Sequence, residues 1–146
     1  MNAAMPVLHV AEPPARYLPR PPLVVDCSAL AGVLFQEPWM DAAVARLSGR
    51  RLIAPTLLAF ELGNVAVEKA RRGDRDEAAE ALGRWSELAI ELVSVDQPAA
   101  FELAMRYGLT AYDAAYLWVA SERRCPLVTF DERLGTAARK HLAALS

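Results

Sequence analysis

From Leu23 onward, short apolar runs alternate with longer stretches of helical periodicity, and no other feature restricts the fold as tightly. LVVDC, RLIA, ELVSV and PLVTF have the length and apolar content of buried strands. Between them lie SALAGVLF and PWMDAAVARLSG, broken at Glu37-Pro38, then TLLAFELGNVAVEKARRG, closed by Gly73, and DRDEAAEALGRWSELA. QPAAFELAMRYG with Asp96 as N-cap, TAYDAAYLWVASERR and DERLGTAARKHLAAL complete the helical set. Strands separated by helices are joined by right-handed crossovers, which gives a mostly parallel sheet covered on both faces. The predicted fold class is α/β.

The N-terminal segment reads differently. Residues 1–22 hold Pro6, Pro13, Pro14, Pro19, Pro21 and Pro22, a spacing that forbids a helix and predicts an extended tail ahead of a domain at 23–146. Met5 offers an alternative start. The segment lacks the basic start and unbroken apolar run of a signal peptide, and no later stretch has the ~18 apolar residues of a membrane span. At 146 residues and 54% hydrophobic content, one core suffices. Cys27 and Cys125 are isolated thiols without metal spacing, which fits a reducing cytoplasm. The net charge of −2 gives no general affinity for nucleic acid, so a polyanion has to be handled locally.

Open parallel sheets bind ligands beyond the carboxyl ends of their strands. Asp26 ends the first strand and Asp131 follows the last, so both belong to that edge. Either can equally cap the helix that follows, although Ser28 is itself a good N-cap and would leave Asp26 free for another role. Glu61 interrupts the apolar TLLAFELGNVAV helix, with Asn64 and Glu68 on the same line as i+3 and i+7 neighbours. A solvent stripe or a cleft wall accounts for that line. Asp113 stands in LTAYDAAYLW, where Thr110-x-x-Asp113 also fits a capping box. Four carboxylates gathered at one edge repel one another unless a cation joins them. An all-oxygen donor set selects a hard ion, Mg²⁺ or Mn²⁺. No Gly-rich phosphate loop occurs, and the histidines, His9 and His141, lie outside these stretches.

VVDCSAL, PTLLAFELGNV, LTAYDAAYLWVAS and PLVTFDERL resemble the four acidic motifs of PIN-domain nucleases, and their order and the chain length resemble the VapC-type toxin ribonucleases of toxin–antitoxin pairs. The resemblance spans roughly residues 23 to 140. It implies a three-layer α/β/α fold with a four- to five-stranded sheet, and it makes Asp26, Glu61, Asp113 and Asp131 the catalytic quartet, with Asp26 and Asp113 holding the metal. Ser28, Asn64 and Thr129 match polar positions that flank those motifs. The implied partners are RNA, a VapB-like antitoxin and a second copy of the chain. Two departures stand out: the proline-rich start is longer than the family's, and HLAALS offers no final strand.

Phosphate contacts are expected from Arg71, Arg72 and Arg75, or from Arg123 and Arg124, although each run also reads as a solvated helix end. Two rivals are weaker. Phosphotransfer through Asp26 lacks a second Asp two residues on, where Ser28 stands, and a non-catalytic PIN-like interaction module does not require all four acids. The mean hydropathy of +0.14, with SALAGVLF and TLLAFELGNVAV nearly devoid of polar surface, predicts an apolar face for the homodimer or the antitoxin.

Overall fold

The computed structural model describes residues 4–14 and 20–145. Five strands, β1 (His9–Ala11), β2 (Pro22–Val25), β3 (Arg51–Pro55), β4 (Glu91–Val93) and β5 (Leu127–Thr129), form one sheet in the order β1-β5-β2-β3-β4. The β5-β2-β3-β4 portion is parallel, as the alternating pattern requires. The helices α1 (Cys27–Leu34), α2 (Met40–Leu47), α3 (Leu58–Arg71) and α4 (Arg75–Glu87) pack together on one face. On the other lie α5 (Gln97–Tyr107), α6 (Ala111–Arg123) and α7 (Glu132–Ala143), with α6 crossing β2, β3 and β5. No helix among the described residues is long and apolar enough to cross a membrane.

The fifth strand comes from an unexpected place. His9–Ala11, inside the segment that reads as an extended tail, pairs antiparallel with β5 in the register His9↔Thr129, Val10↔Val128, Ala11↔Leu127. The C-terminal helix leaves that side of β5 unpaired, and an open strand edge is a template for any segment able to hydrogen-bond. HVA lies between Pro6 and Pro13 and keeps all its backbone donors, so it can fill the edge. Within the expected tail, Pro22 already opens β2, and residues 1–3 and 15–19 lie outside the described residues.

Close packing of β1 has its own requirement. A Cβ at Gly135, inside α7, would come within 2.6 Å of His9 Cβ and Cγ. Glycine there, costly in a helix interior by ~1 kcal/mol, admits the strand.

The core explains part of the apolar excess. Ala29, Leu30 and Leu34 of SALAGVLF are fully buried among the sheet and neighbouring helices, so that stretch is not the partner surface its composition predicts. On α3, Leu58, Leu62 and Ala66 face inward, while Phe60 is 82% exposed.

Candidate active site

The carboxyl ends of β2, β3 and β5 define one edge of the sheet, and each expected acid sits on a segment leaving or meeting that edge. Asp26 follows β2 directly; Glu61 occupies the first turn of α3; Asp113 the first turn of α6; Asp131 precedes α7. Four separate elements therefore deliver the four side chains.

Asp26 is buried at 5% exposure and is the N-cap of α1, accepting from Ala29 N–H at 3.0 Å. The cap expected at Ser28 belongs to Asp26 instead, because the helix already begins at Cys27. Ser28 is thereby released for a different task. Its hydroxyl donates to Asp26 Oδ1 at 2.7 Å and accepts from Phe130 N–H at 2.8 Å. Thr129 mirrors it, donating to Asp26 Oδ2 while accepting from Asp131 N–H at 2.9 Å. Two hydroxyls thus tie both oxygens of Asp26 to the turn that carries Asp131. Burial pushes the Asp26 carboxyl up to about 6 against the pull of these hydrogen bonds, and repulsion from Asp113 adds to the rise.

Glu61 is half-buried and accepts at Oε1 from the Tyr116 hydroxyl, 2.6 Å away. Its carboxyl is raised by burial, opposed by that bond, and raised further by Asp113. Asp113 is raised by burial and then by Asp131, while the Thr110 bond and the Arg133 guanidinium oppose the shift. Thr110 caps α6, its Oγ1 accepting from Asp113 N–H at 3.1 Å, so the Asp113 side chain makes no cap itself. Asp131 does cap α7, with Oδ1 accepting from Leu134 N–H at 2.7 Å. Cys27, beside Asp26, is pushed up to about 12 by burial and by the Glu61 and Asp26 charges, which makes it inert as a nucleophile at neutral pH.

These mutual repulsions chain the quartet together electrostatically. Yet among the described residues no three His, Cys, Asp or Glu side chains converge closely enough to enclose a metal ion. The donors at this edge are all oxygens, the ligand chemistry that a hard divalent ion accepts.

Other expected residues fall elsewhere. Asn64 and Glu68 are exposed on α3, and Asn64 forms no side-chain hydrogen bond among the described residues. Arg71, Arg72 and Arg75 surround the α3–α4 connection, ten residues or about 15 Å along the helix from Glu61. Arg123 and Arg124 close α6 at the opposite edge of the sheet, where Arg123 pairs with Glu91 at 2.7 Å. Pattern and spacing alone do not single out Tyr116 and Arg133. Tyr116 is nonetheless detectable, since a tyrosine in an otherwise apolar helix needs a partner for its hydroxyl and lies one turn from Asp113.

Residues 23–140 match the family model of the PIN domain. The chain is 35% identical over 119 residues to "Ribonuclease VapC3" of Pyrobaculum aerophilum, covering 77% of this chain and 91% of that relative. It is 34% identical over 115 residues to "Ribonuclease VapC9" of Mycobacterium tuberculosis, covering 77% of this chain and 87% of the relative. The crystal structure of PAE2754 from Pyrobaculum aerophilum superposes with a TM-score of 0.66 at 26% identity, covering 84% of this chain and 82% of that one.

Proposed function

The chain belongs to the PIN domain family, and from that premise we propose that it is a metal-dependent endoribonuclease, the toxin of a VapBC-type pair. One observation carries the reading: four carboxylates from four elements are arrayed along the carboxyl edge of the sheet, and burial and mutual repulsion raise the proton affinity of three of them. Residues 23–140 form the catalytic domain, and β1 is an accessory strand.

Asp26 and Asp113 hold the divalent ion, Mg²⁺ or Mn²⁺. Glu61 and the free Oδ2 of Asp131 complete the shell directly or through water. When bound, the ion supplies charge neutralisation at the phosphodiester and acidifies the attacking water, so the chain needs no base of its own. The protein's part is preorganisation. Ser28, Thr129 and Ala29 N–H fix Asp26 before any ligand arrives, and Tyr116 fixes Glu61. Phosphotransfer through Asp26 is set aside on its neighbours, since Ser28 stands where a second Asp would be needed.

The partners are RNA, a VapB-like antitoxin and a second copy of the chain, all in the cytoplasm. Support for a protein partner comes from the exposed Phe60 on α3 and Phe101 and Met105 on α5. The test is incubation of the purified protein with total RNA, with Mg²⁺, Mn²⁺ or chelator, followed by mapping of cut ends. Discrete new ends that need the metal and vanish in Asp26→Asn are expected. RNA left intact under every metal condition discards the reading.

A further inference from the structure

A groove of about 660 Å³ opens beside Asp131 and runs between the end of α5 and the length of α7. Arg106 lines it from α5; Arg133, Thr136 and Lys140 line it from α7. Arg133 and Lys140 are seven residues apart, two helical turns, so their charges repeat on one face about 10 Å apart. All three cations are exposed, and none forms an ion pair among the described residues. On a chain of net charge −2, such a row is a local feature rather than a general surface property. Glu132 also lines the groove, in the first turn of α7 where the helix dipole favours an acid. The cations still outnumber it three to one once Asp131 is assigned to the cleft.

The two ends of the groove are marked independently. Arg133 stands two residues from Asp131 at one end, and Lys140 stands next to His141 at the other. His141 is fixed between Tyr107 (2.9 Å) and Ser121 (3.0 Å), which makes that end rigid. A small anion would call for an enclosed pocket, whereas an open row of cations leading away from a phosphodiester-cleaving edge fits an extended polyanion.

Resting on the nuclease reading above, we propose that this groove is the track for the sugar–phosphate backbone of the RNA next to the scissile bond. Arg133 contacts the phosphate nearest the carboxylates, and Arg106 and Lys140 contact phosphates farther along. A span of about 10 Å holds a few nucleotides at ~3.4 Å per stacked residue. The arginines at 71, 72 and 75 take no part.

Binding of a fluorescent single-stranded RNA is measured through a salt titration, with chelator present to stop cleavage. The triple variant Arg106→Ala/Arg133→Ala/Lys140→Ala is expected to bind 10- to 100-fold more weakly at low salt. Its slope of log K against log salt should be shallower by about 2, at ~0.7 for each phosphate no longer neutralised. The control Arg71→Ala/Arg72→Ala/Arg75→Ala should keep the wild-type slope. Should the triple variant melt early, the single reversal Lys140→Glu, at an exposed position, is read instead and should also flatten the slope. Mn²⁺ affinity of Arg106→Ala/Lys140→Ala should be unchanged. A wild type that cleaves RNA while groove variants keep its slope discards the track and keeps the nuclease. A wild type that neither binds nor cleaves discards both.

Discussion

The Tyr116 hydroxyl donates to Glu61 Oε1 across 2.6 Å, joining the helix that carries Asp113 to the helix that carries Glu61. Tyr116 is buried, so its hydroxyl has no water to fall back on, and its own proton is held more tightly by burial and by Glu61. It is a fixed donor. Tyr116→Phe keeps the ring and removes that donor, at a stability cost of about 1 kcal/mol. Mn²⁺ affinity and kcat should fall on the order of 10-fold, the usual scale for a residue that orients a metal ligand, with KM for RNA unmoved. Calorimetric Mn²⁺ titration and steady-state kinetics check this. A lower Tm with unchanged metal affinity would leave Tyr116 a packing residue only.

Thr110 and Asp113 share one helix end but divide its work. Thr110→Ala removes the acceptor for Asp113 N–H, and should cost about 1 kcal/mol of stability while leaving Mn²⁺ binding intact. Asp113→Asn should behave oppositely. It keeps the cap and relieves repulsion with Asp131, so the metal-free protein should melt no earlier, yet cleavage should be lost. Parallel melting curves and Mn²⁺ titrations separate the roles; equal loss of metal affinity in both variants would contradict the division.

The helices and parallel strands are legible in the sequence because each apolar run is bounded by a residue of definite backbone preference, such as Asp96, Gly73 or Pro38. Thr110 as cap is equally plain. Asp26 is harder, because capping and ligation look like rivals in the sequence, whereas one buried carboxylate performs the first without excluding the second. The fifth strand escapes for a different reason. Three residues among prolines carry too little pattern to read as a strand, and their pairing with β5 is set by an edge that exists only once the rest has folded. The signal that does exist lies elsewhere, in Gly135, a glycine inside an otherwise good helix. The arginine runs stay ambiguous in the sequence because a charge cluster marks a helix end as readily as a ligand path.

That glycine gives a third expectation. Gly135→Ala places a methyl group against His9, so it should displace β1 and cost about 1–3 kcal/mol despite alanine's better helix propensity. In a chain lacking residues 1–14 the same substitution should be neutral or stabilising. Thermal melts of the four proteins check the coupling. If Gly135→Ala is equally harmful with and without the N-terminal segment, the clash lies elsewhere.

Asp26 supplies the last expectation, through its charge. Its folded-state pKa is raised from 3.8 to about 6, chiefly by burial, so the folded protein holds a proton that the unfolded chain has already released between those values. Where the folded state binds more protons, stability falls as pH rises. The contribution is therefore intact below about pH 4, shrinks through pH 6, and above that settles at a loss on the order of 3 kcal/mol, at ~1.4 kcal/mol per pKa unit. Asn cannot ionise and is close in shape to the protonated acid, so without metal Asp26→Asn should match the wild type near pH 4 and be the more stable near pH 7. Adding Mn²⁺ at pH 7 should reverse the order, because only the wild type gains binding energy from the ion, and cleavage should drop at least ~10²-fold in the variant. Melting temperatures at the two pH values, with and without Mn²⁺, test every step. A stability difference that ignores both pH and metal would show that the carboxylate at position 26 serves only to cap α1.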